Sequence, residues 1–147
     1  MKWIYRFLAI GVMLVVLGAG YFFANLTIFE RTFIQLNTSQ KVNYIPFENR
    51  LNMQCDKADD LVPKLAASRF HLITWNVHKG QDTGWQEDLE RLSKQADFVL
   101  LQEATQYQNL STFSTALFVS SFSFNELLSG VKTFTQTQPE WYCGGGV

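Results

Sequence analysis

Two polar side chains in the middle of the chain, Asn76 and Glu103, each follow a short apolar segment. The run FHLITW (residues 70–75) predicts a strand that ends at Asn76. The continuous apolar run from Phe98 to Leu101 predicts a second strand, buried on both faces, just before Glu103. A carboxylate and an amide at two strand ends suit a hard divalent cation, which prefers oxygen ligands and leaves positions open for phosphate and water.

A helix from about Gly84 to Gln95 is predicted between these strands. Three apolar residues follow one another at helical intervals, namely Trp85, Leu89 and Leu92. Thr83 and Gln86 have the spacing of a capping box at its start. Two strands joined by a crossover helix normally lie parallel, so their carboxyl ends meet at one rim of the sheet. We therefore expect the side chains of Asn76 and Glu103 to converge there, with Gln102 on the opposite face by strand alternation.

Three roles are open to the Asn76 amide: it could bind the cation, orient a phosphate oxygen or fix the Glu103 carboxylate. The plainer interpretation is that an Asn after a strand forms a turn and that a Glu there is a solvated strand end. His78 and Lys79 follow Asn76 closely. We predict surface or packing roles for both of them.

The sequence around the two strands resembles that of a known family. ITWNVHKG, followed after about twenty residues by DFVLLQEA, is similar to the opening of the endonuclease/exonuclease/phosphatase family, the deoxyribonuclease-I-like hydrolases. SGVKTFTQTQP (residues 129–139) resembles that family's third conserved stretch, which opens another core strand. The resemblance runs roughly from Phe70 to Cys143 and is closest to bacterial members whose substrates are undefined. It implies an α/β fold, the α+β four-layer sandwich of the deoxyribonuclease-I-like type, of which residues 70–147 form the N-terminal portion.

The resemblance also implies an activity. In that family the Asn matching Asn76 helps to position metal or phosphate, and the Glu matching Glu103 binds the catalytic magnesium, for which manganese is an alternative. The implied function is metal-dependent hydrolysis of a phosphate ester, of nuclease, phosphatase or phosphodiesterase type. The family's later Asn-x-His, Gly-Asp-x-Asn and Asp-His motifs do not occur after Glu103. We therefore expect negligible hydrolase activity from this polypeptide alone; the alternative is a non-enzymatic, membrane-anchored fragment or binding module.

The N-terminal segment carries a membrane signal. Residues 7–24 contain no charge, and their 18 positions would span about 27 Å as a helix, close to the hydrocarbon thickness of a bilayer. Lys2 and Arg6 precede this run, which favours a single-pass anchor in residues 1–26 with its N-terminus in the cytoplasm. The alternatives are a secreted or periplasmic protein after signal cleavage, or a cytoplasmic protein. Residues 27–69 show no sustained period and predict a connecting arm.

Charge and cysteine content limit the partners. The net charge of -1, with no block of Lys or Arg in the body, argues against a strong nucleic-acid footprint. A near-neutral, membrane-anchored chain favours small or lipid-linked phosphates over long duplex DNA. The two cysteines, Cys55 and Cys143, lack the close spacing of a zinc knuckle or a redox pair. Whether they bridge is open at this stage.

Overall fold

The computed structural model describes residues 2–38, 42–44, 54–57, 69–137 and 141–144. These residues form an α+β structure with an N-terminal apolar helix and a mixed sheet. The elements are α1 (Lys2–Asn25), β1 (Leu26–Thr38), β2 (Val42–Tyr44), β3 (Gln54–Lys57), β4 (Leu72–Asn76), a 3-10 turn (His78–Gly80), α2 (Trp85–Ser93), β5 (Phe98–Thr105), β6 (Thr115–Phe124), β7 (Leu127–Thr135) and β8 (Trp141–Gly144). Six strands pair in the order β2-β1-β6-β7-β5-β4, and β3 pairs with β8 in a separate two-stranded ladder.

The predicted strand, helix and strand are confirmed as β4, α2 and β5, and β4 lies parallel to β5. The predicted capping box is wrong, because α2 begins after Gly84 with no side-chain cap. Gly84 has φ 78°, a left-handed conformation that glycine adopts without a Cβ penalty. Glu87 and Asp88 in the first turn still match the positive end of the helix dipole. The strand predicted in the stretch 129–139 is confirmed as β7.

The core lies between α2 and one face of the sheet. Leu89 of α2 and Leu101 of β5 are fully buried there. They pack in one cluster with apolar residues that include Val77, Val99, Phe118 and Phe134. Burial of a side chain of this size stabilises the fold by about 1.5–3 kcal/mol. The core-facing side chains of β4, β5 and β7 therefore fix the strand ends that carry the polar residues.

The other face of the sheet is less covered at its β4 and β7 positions. Leu72 remains 52% exposed and Val131 46% exposed, although both belong to strands of the six-stranded sheet. Val131 adjoins the buried Lys132, so by strand alternation it projects from the face away from α2. The sheet therefore has one packed face and one face with exposed apolar side chains.

The connecting arm predicted for residues 27–69 is wrong at its start, because residues 26–38 form β1 within the sheet. β1 pairs antiparallel with β6 from Leu26 opposite Phe124 to Thr38 opposite Thr115. An irregularity in the pairing between Ile28 and Phe33 interrupts the period of two, so the sequence of β1 does not show the regular alternation of a strand. Residues 42–44 and 54–57 of the arm form β2 and β3, and its other residues from 39 to 68 lie outside the described ranges.

The helix α1 leads directly into β1 and touches the turn between β6 and β7. The amide N–H of Asn125 donates to the Asn25 carbonyl at 3.1 Å, and its side-chain Nδ2 donates to the Tyr21 hydroxyl at 3.3 Å. The Phe124 ring lies 5.6 Å from that of Phe22. None of the α1 side chains is buried. The helix is long and apolar enough to cross a membrane, a property that a signal sequence shares.

Candidate functional site

Asn76 and Glu103 meet at the rim formed by the carboxyl ends of β4 and β5. Asn76 is the last residue of β4 and lies opposite Gln102 in the parallel ladder. Its side-chain Nδ2 donates a hydrogen bond to Glu103 Oε1 at 2.9 Å. The Asn76 oxygen is also engaged, since Oδ1 accepts from the amide N–H of His78 at 3.0 Å. Of the three roles open to Asn76, the structure contains the one that fixes the carboxylate.

A bulge in β5 brings Glu103 to the rim. Between Leu101 and Ala104 the pairing with β7 shifts, so that Gln102 and Glu103 together face a single residue of that strand. A regular strand would place Glu103 on the same buried face as Leu101. Glu103 instead has φ 49° and an exposed side chain. The alternation expected for Gln102 and Glu103 is therefore wrong, because both are exposed; bulges commonly re-aim a side chain in this way.

The turn after β4 places the Lys79 ammonium beside the same carboxylate. The Lys79 ammonium lies 3.6 Å from Glu103 Oε2. His78 and Lys79 have φ values of 45° and 57°, and Gly80 follows at 77°. Residues other than glycine seldom adopt positive φ, and such strain collects at functional sites. We define the rim as Asn76, His78, Lys79 and Glu103. In the described ranges five residues other than glycine have positive φ, and three of them belong to the rim.

These contacts keep the Glu103 carboxylate ionised. The hydrogen bond from Asn76 is the main cause that lowers the pKa of Glu103 below its ordinary value. Partial desolvation opposes this effect, while the positive charges of Lys79 and His78 add to it. The side chain of Glu103 is 45% exposed, so the anion is open to a ligand from solution. The rim thus presents a negative oxygen beside the positive charge of Lys79.

The rim offers a carboxylate oxygen of the kind that a hard divalent cation prefers. Glu103 Oε2 faces an ammonium ion that a divalent cation would displace, and Oε1 is held by Asn76. Among the described residues no group of three or more His, Cys, Asp or Glu is placed to hold a metal ion. Magnesium keeps several waters and is often bound by one or two carboxylates together with substrate phosphate. Glu103 fits that limited protein contribution, with Asn76 as the residue that orients it.

The two histidines have different surroundings. His71, just before β4, donates its backbone N–H to Asp97 Oδ2 at 2.7 Å, which joins the start of β4 to the start of β5. The exposed His78 side chain lies beside Asp82, with 3.5 Å between Nδ1 and Oδ1. His71 is therefore at the opposite end of the strand pair from Glu103, whereas His78 is part of the rim.

A buried lysine was missed by the sequence reasoning. Lys132 of β7 is only 2% exposed, and its ammonium donates to the backbone carbonyls of Gln106 and Gln108. Burial lowers the pKa of Lys132 to about 8. Gln106 and Gln108 lie in the loop that leaves β5 shortly after Glu103, so Lys132 holds that loop in place. A lysine within an alternating strand gives no signal of such burial, because its partners come from a distant loop.

Comparison with known proteins finds relatives among the UPF0294 proteins. No family model matches this chain, and no solved structure matches it. A UPF0294 protein of Yersinia pseudotuberculosis serotype O:1b (strain IP 31758) is 33% identical over 86 residues, which cover 55% of this chain and 33% of that protein. A UPF0294 protein of Yersinia pestis matches with the same identity and coverage. The chain thus spans about a third of the length of these curated relatives, whose names state no activity.

Proposed function

We propose that the rim is the metal-binding edge of a magnesium-dependent phosphoester hydrolase of the endonuclease/exonuclease/phosphatase type. The observation that carries the proposal is the 2.9 Å hydrogen bond between Asn76 and Glu103 at the ends of two parallel strands. Ligands of open α/β sheets bind at the carboxyl ends of the strands. An ionised carboxylate with a fixed orientation is the group that such a cation requires there.

Three of the four rim residues have a role in this proposal. Glu103 would hold Mg²⁺, or Mn²⁺ in its place, and the ion would polarise a phosphoryl oxygen and lower the pKa of bound water. Asn76 keeps the carboxylate turned toward the open side of the rim. Lys79, once displaced from Glu103, would pair its ammonium with a phosphate oxygen of the substrate. The resembled family activates water and protonates the leaving group through later motifs that this sequence lacks, so turnover is proposed only for a longer protein that contains this chain.

The exposed sheet face supports the four-layer sandwich as the complete fold. Leu72 and Val131 leave apolar surface uncovered on the side of the sheet away from α2. A second sheet packed about 10 Å away would bury such surface, as in sandwiches generally. We propose that the further length seen in the UPF0294 relatives supplies that sheet.

The position of α1 favours a substrate at a membrane surface. The last turn of α1 contacts the turn between β6 and β7. The carboxyl end of β5 lies near the same turn, because Ala104 is opposite Gly130 near the start of β7. Gly130 is three residues beyond Leu127, a distance of about 10 Å along the strand. The rim is thus at the end of the sheet that α1 touches. With α1 as a retained single-pass anchor and its N-terminus in the cytoplasm, we propose a lipid-linked phosphate ester as the substrate class.

Binding of Mn²⁺ tests the rim directly. The full chain in lipid nanodiscs is titrated with Mn²⁺ and the free ion is followed by electron paramagnetic resonance. Glu103→Gln is expected to abolish the binding seen in the unaltered chain, and Asn76→Ala to weaken it about tenfold. The matched control is Glu87→Gln, which removes an exposed carboxylate on α2 and should leave binding unchanged. Equal Mn²⁺ binding by the unaltered chain and Glu103→Gln would remove the basis for the hydrolase.

A further inference from the structure

The two-stranded ladder of β3 and β8 brings the two cysteines of the chain together. Its register places Gln54 opposite Gly144, Cys55 opposite Cys143, and Asp56 opposite Tyr142. Cys55 and Cys143 are the only cysteines in the sequence, and 88 positions separate them (143 minus 55). Directly opposed residues of an antiparallel ladder share one face of it. The pairing therefore aligns both thiol-bearing residues without any shift in register.

The backbone spacing of such a pair suits a disulfide. Opposed Cα atoms in an antiparallel ladder are about 4.5 Å apart in non-hydrogen-bonded pairs and about 5.5 Å apart in hydrogen-bonded pairs. Disulfides join Cα atoms that are roughly 4.4–6.8 Å apart, so either kind of pair falls within the range. A slip of one residue would place the two cysteines on opposite faces of the ladder.

The helix α1 places these residues in a suitable compartment. Disulfides persist on the oxidising side of the cell membrane and are rare in the cytoplasm. Lys2 and Arg6 precede the apolar stretch of α1, which favours translocation of the chain that follows it. A retained anchor and a cleaved signal sequence both deliver residues 55 and 143 to that side. The inference therefore does not depend on which of the two α1 is.

We propose that Cys55 and Cys143 form an intramolecular disulfide, independently of the proposed hydrolase function. One cysteine thiolate attacks the disulfide of an oxidised thiol–disulfide oxidoreductase to give a mixed disulfide. The second thiolate then displaces the oxidoreductase, which leaves as a dithiol with the two electrons and two protons lost by the chain. The new bond closes a loop that contains β4, α2, β5, β6 and β7, and hence the rim.

The bond would stabilise a ladder that is weak by itself. An isolated two-stranded ladder is marginally stable in water. A cross-link that closes a long loop reduces the conformational freedom of the unfolded chain. Reduction or Cys143→Ser is expected to lower the Tm of the chain by about 10 °C, since the removal of a native disulfide from a small domain has effects of this size.

Thiol counting tests the proposal. The full chain is expressed in bacteria with its leader, membranes are treated with a maleimide-polyethylene glycol in denaturant, and the products are separated by gel electrophoresis. We expect no label before reduction, two labels after reduction, and a cross-linked peptide pair containing Cys55 and Cys143 by mass spectrometry. Cys55→Ser should leave one thiol that labels without reduction.

An off-register variant provides the matched control. Cys143→Ser combined with Tyr142→Cys keeps two cysteines but moves one of them opposite Asp56, on the other face of the ladder. This variant should show two free thiols without reduction. Two free thiols in the unaltered chain, or a disulfide that forms equally well in the off-register variant, would overturn the proposal.

Discussion

Glu103 on β5 and Lys132 on β7 are charged residues of neighbouring strands that the fold holds in opposite ways. Glu103 has a left-handed backbone, an exposed carboxylate, and side-chain partners in Asn76 and Lys79. Lys132 lies in β7, is buried, and donates to backbone carbonyls. The pKa is lowered at both residues, but this favours the charged form of Glu103 and disfavours that of Lys132. The rim thus exposes its charged group to solvent, whereas β7 buries its lysine against the backbone carbonyls of a loop.

The largest expected effect is a loss of stability, and it comes from the close packing of β7 against β6. A Cβ added at Gly130 would lie 1.9 Å from the Val119 carbonyl oxygen, so Gly130→Ala forces β6 and β7 apart. We expect a loss of about 3 kcal/mol in the free energy of unfolding, measured by urea denaturation in detergent micelles. Gly18→Ala, where nothing lies within 4 Å of the added Cβ, should change it by less than about 0.5 kcal/mol. Equal midpoints for the two variants would show that the β7 side is not close-packed.

The pH dependence of stability should report Lys132. Its pKa falls from 10.5 in the unfolded chain to about 8 in the fold, so between these values the unfolded chain binds more protons. The free energy of unfolding should therefore rise as the pH is raised from 8 to 10.5, by up to about 3 kcal/mol. Urea midpoints across this range measure the rise. Lys132→Met should remove it and Lys94→Met, at an exposed position, should keep it; a rise that persists without Lys132 would assign it to another group.

The strain at Glu103 gives a smaller effect on stability. Glycine tolerates φ 49° whereas alanine does not, so Glu103→Gly should have a Tm a few degrees above that of Glu103→Ala. Both variants lack the carboxylate and should fail to bind Mn²⁺. Differential scanning calorimetry of the two proteins makes the comparison. A higher Tm for Glu103→Ala would mean that the left-handed backbone is not strained at this position.

The smallest expected change is in the titration of Glu103 itself. Asn76→Ala removes the main cause of the lowered pKa, so the pKa of the Glu103 carboxyl should rise toward its ordinary value. Stability from a lowered carboxyl pKa is present above the unfolded value and lost as the pH falls through the folded value, and this loss should shrink in Asn76→Ala. Carbon-13 nuclear magnetic resonance of the carboxyl group follows the titration. A substitution of Thr74, whose hydroxyl accepts a hydrogen bond from Gln102, should leave the pKa of Glu103 unchanged.

The strand-helix-strand unit could be predicted because its signals are local. Each element shows its own period, and the parallel pairing of β4 and β5 follows from the crossover. The membership of β1 in the sheet could not be predicted, since the irregularity near Ile28 hides its alternation and its partner β6 is about 90 residues away. A short apolar run such as that of β6 does not by itself distinguish a strand from a buried helix.

The sequence by itself determined an apolar helix at the N-terminus, two parallel strands, and Asn76 and Glu103 near their carboxyl ends. Only the tertiary structure decided that the β5 bulge aims Glu103 at Asn76, that Lys132 is buried beneath a loop, and that Cys55 lies opposite Cys143. The physical reason is distance along the chain. Periodicity and turn chemistry act within a few residues, whereas register, bulges and the partners of a buried charge depend on strands and loops far away in sequence.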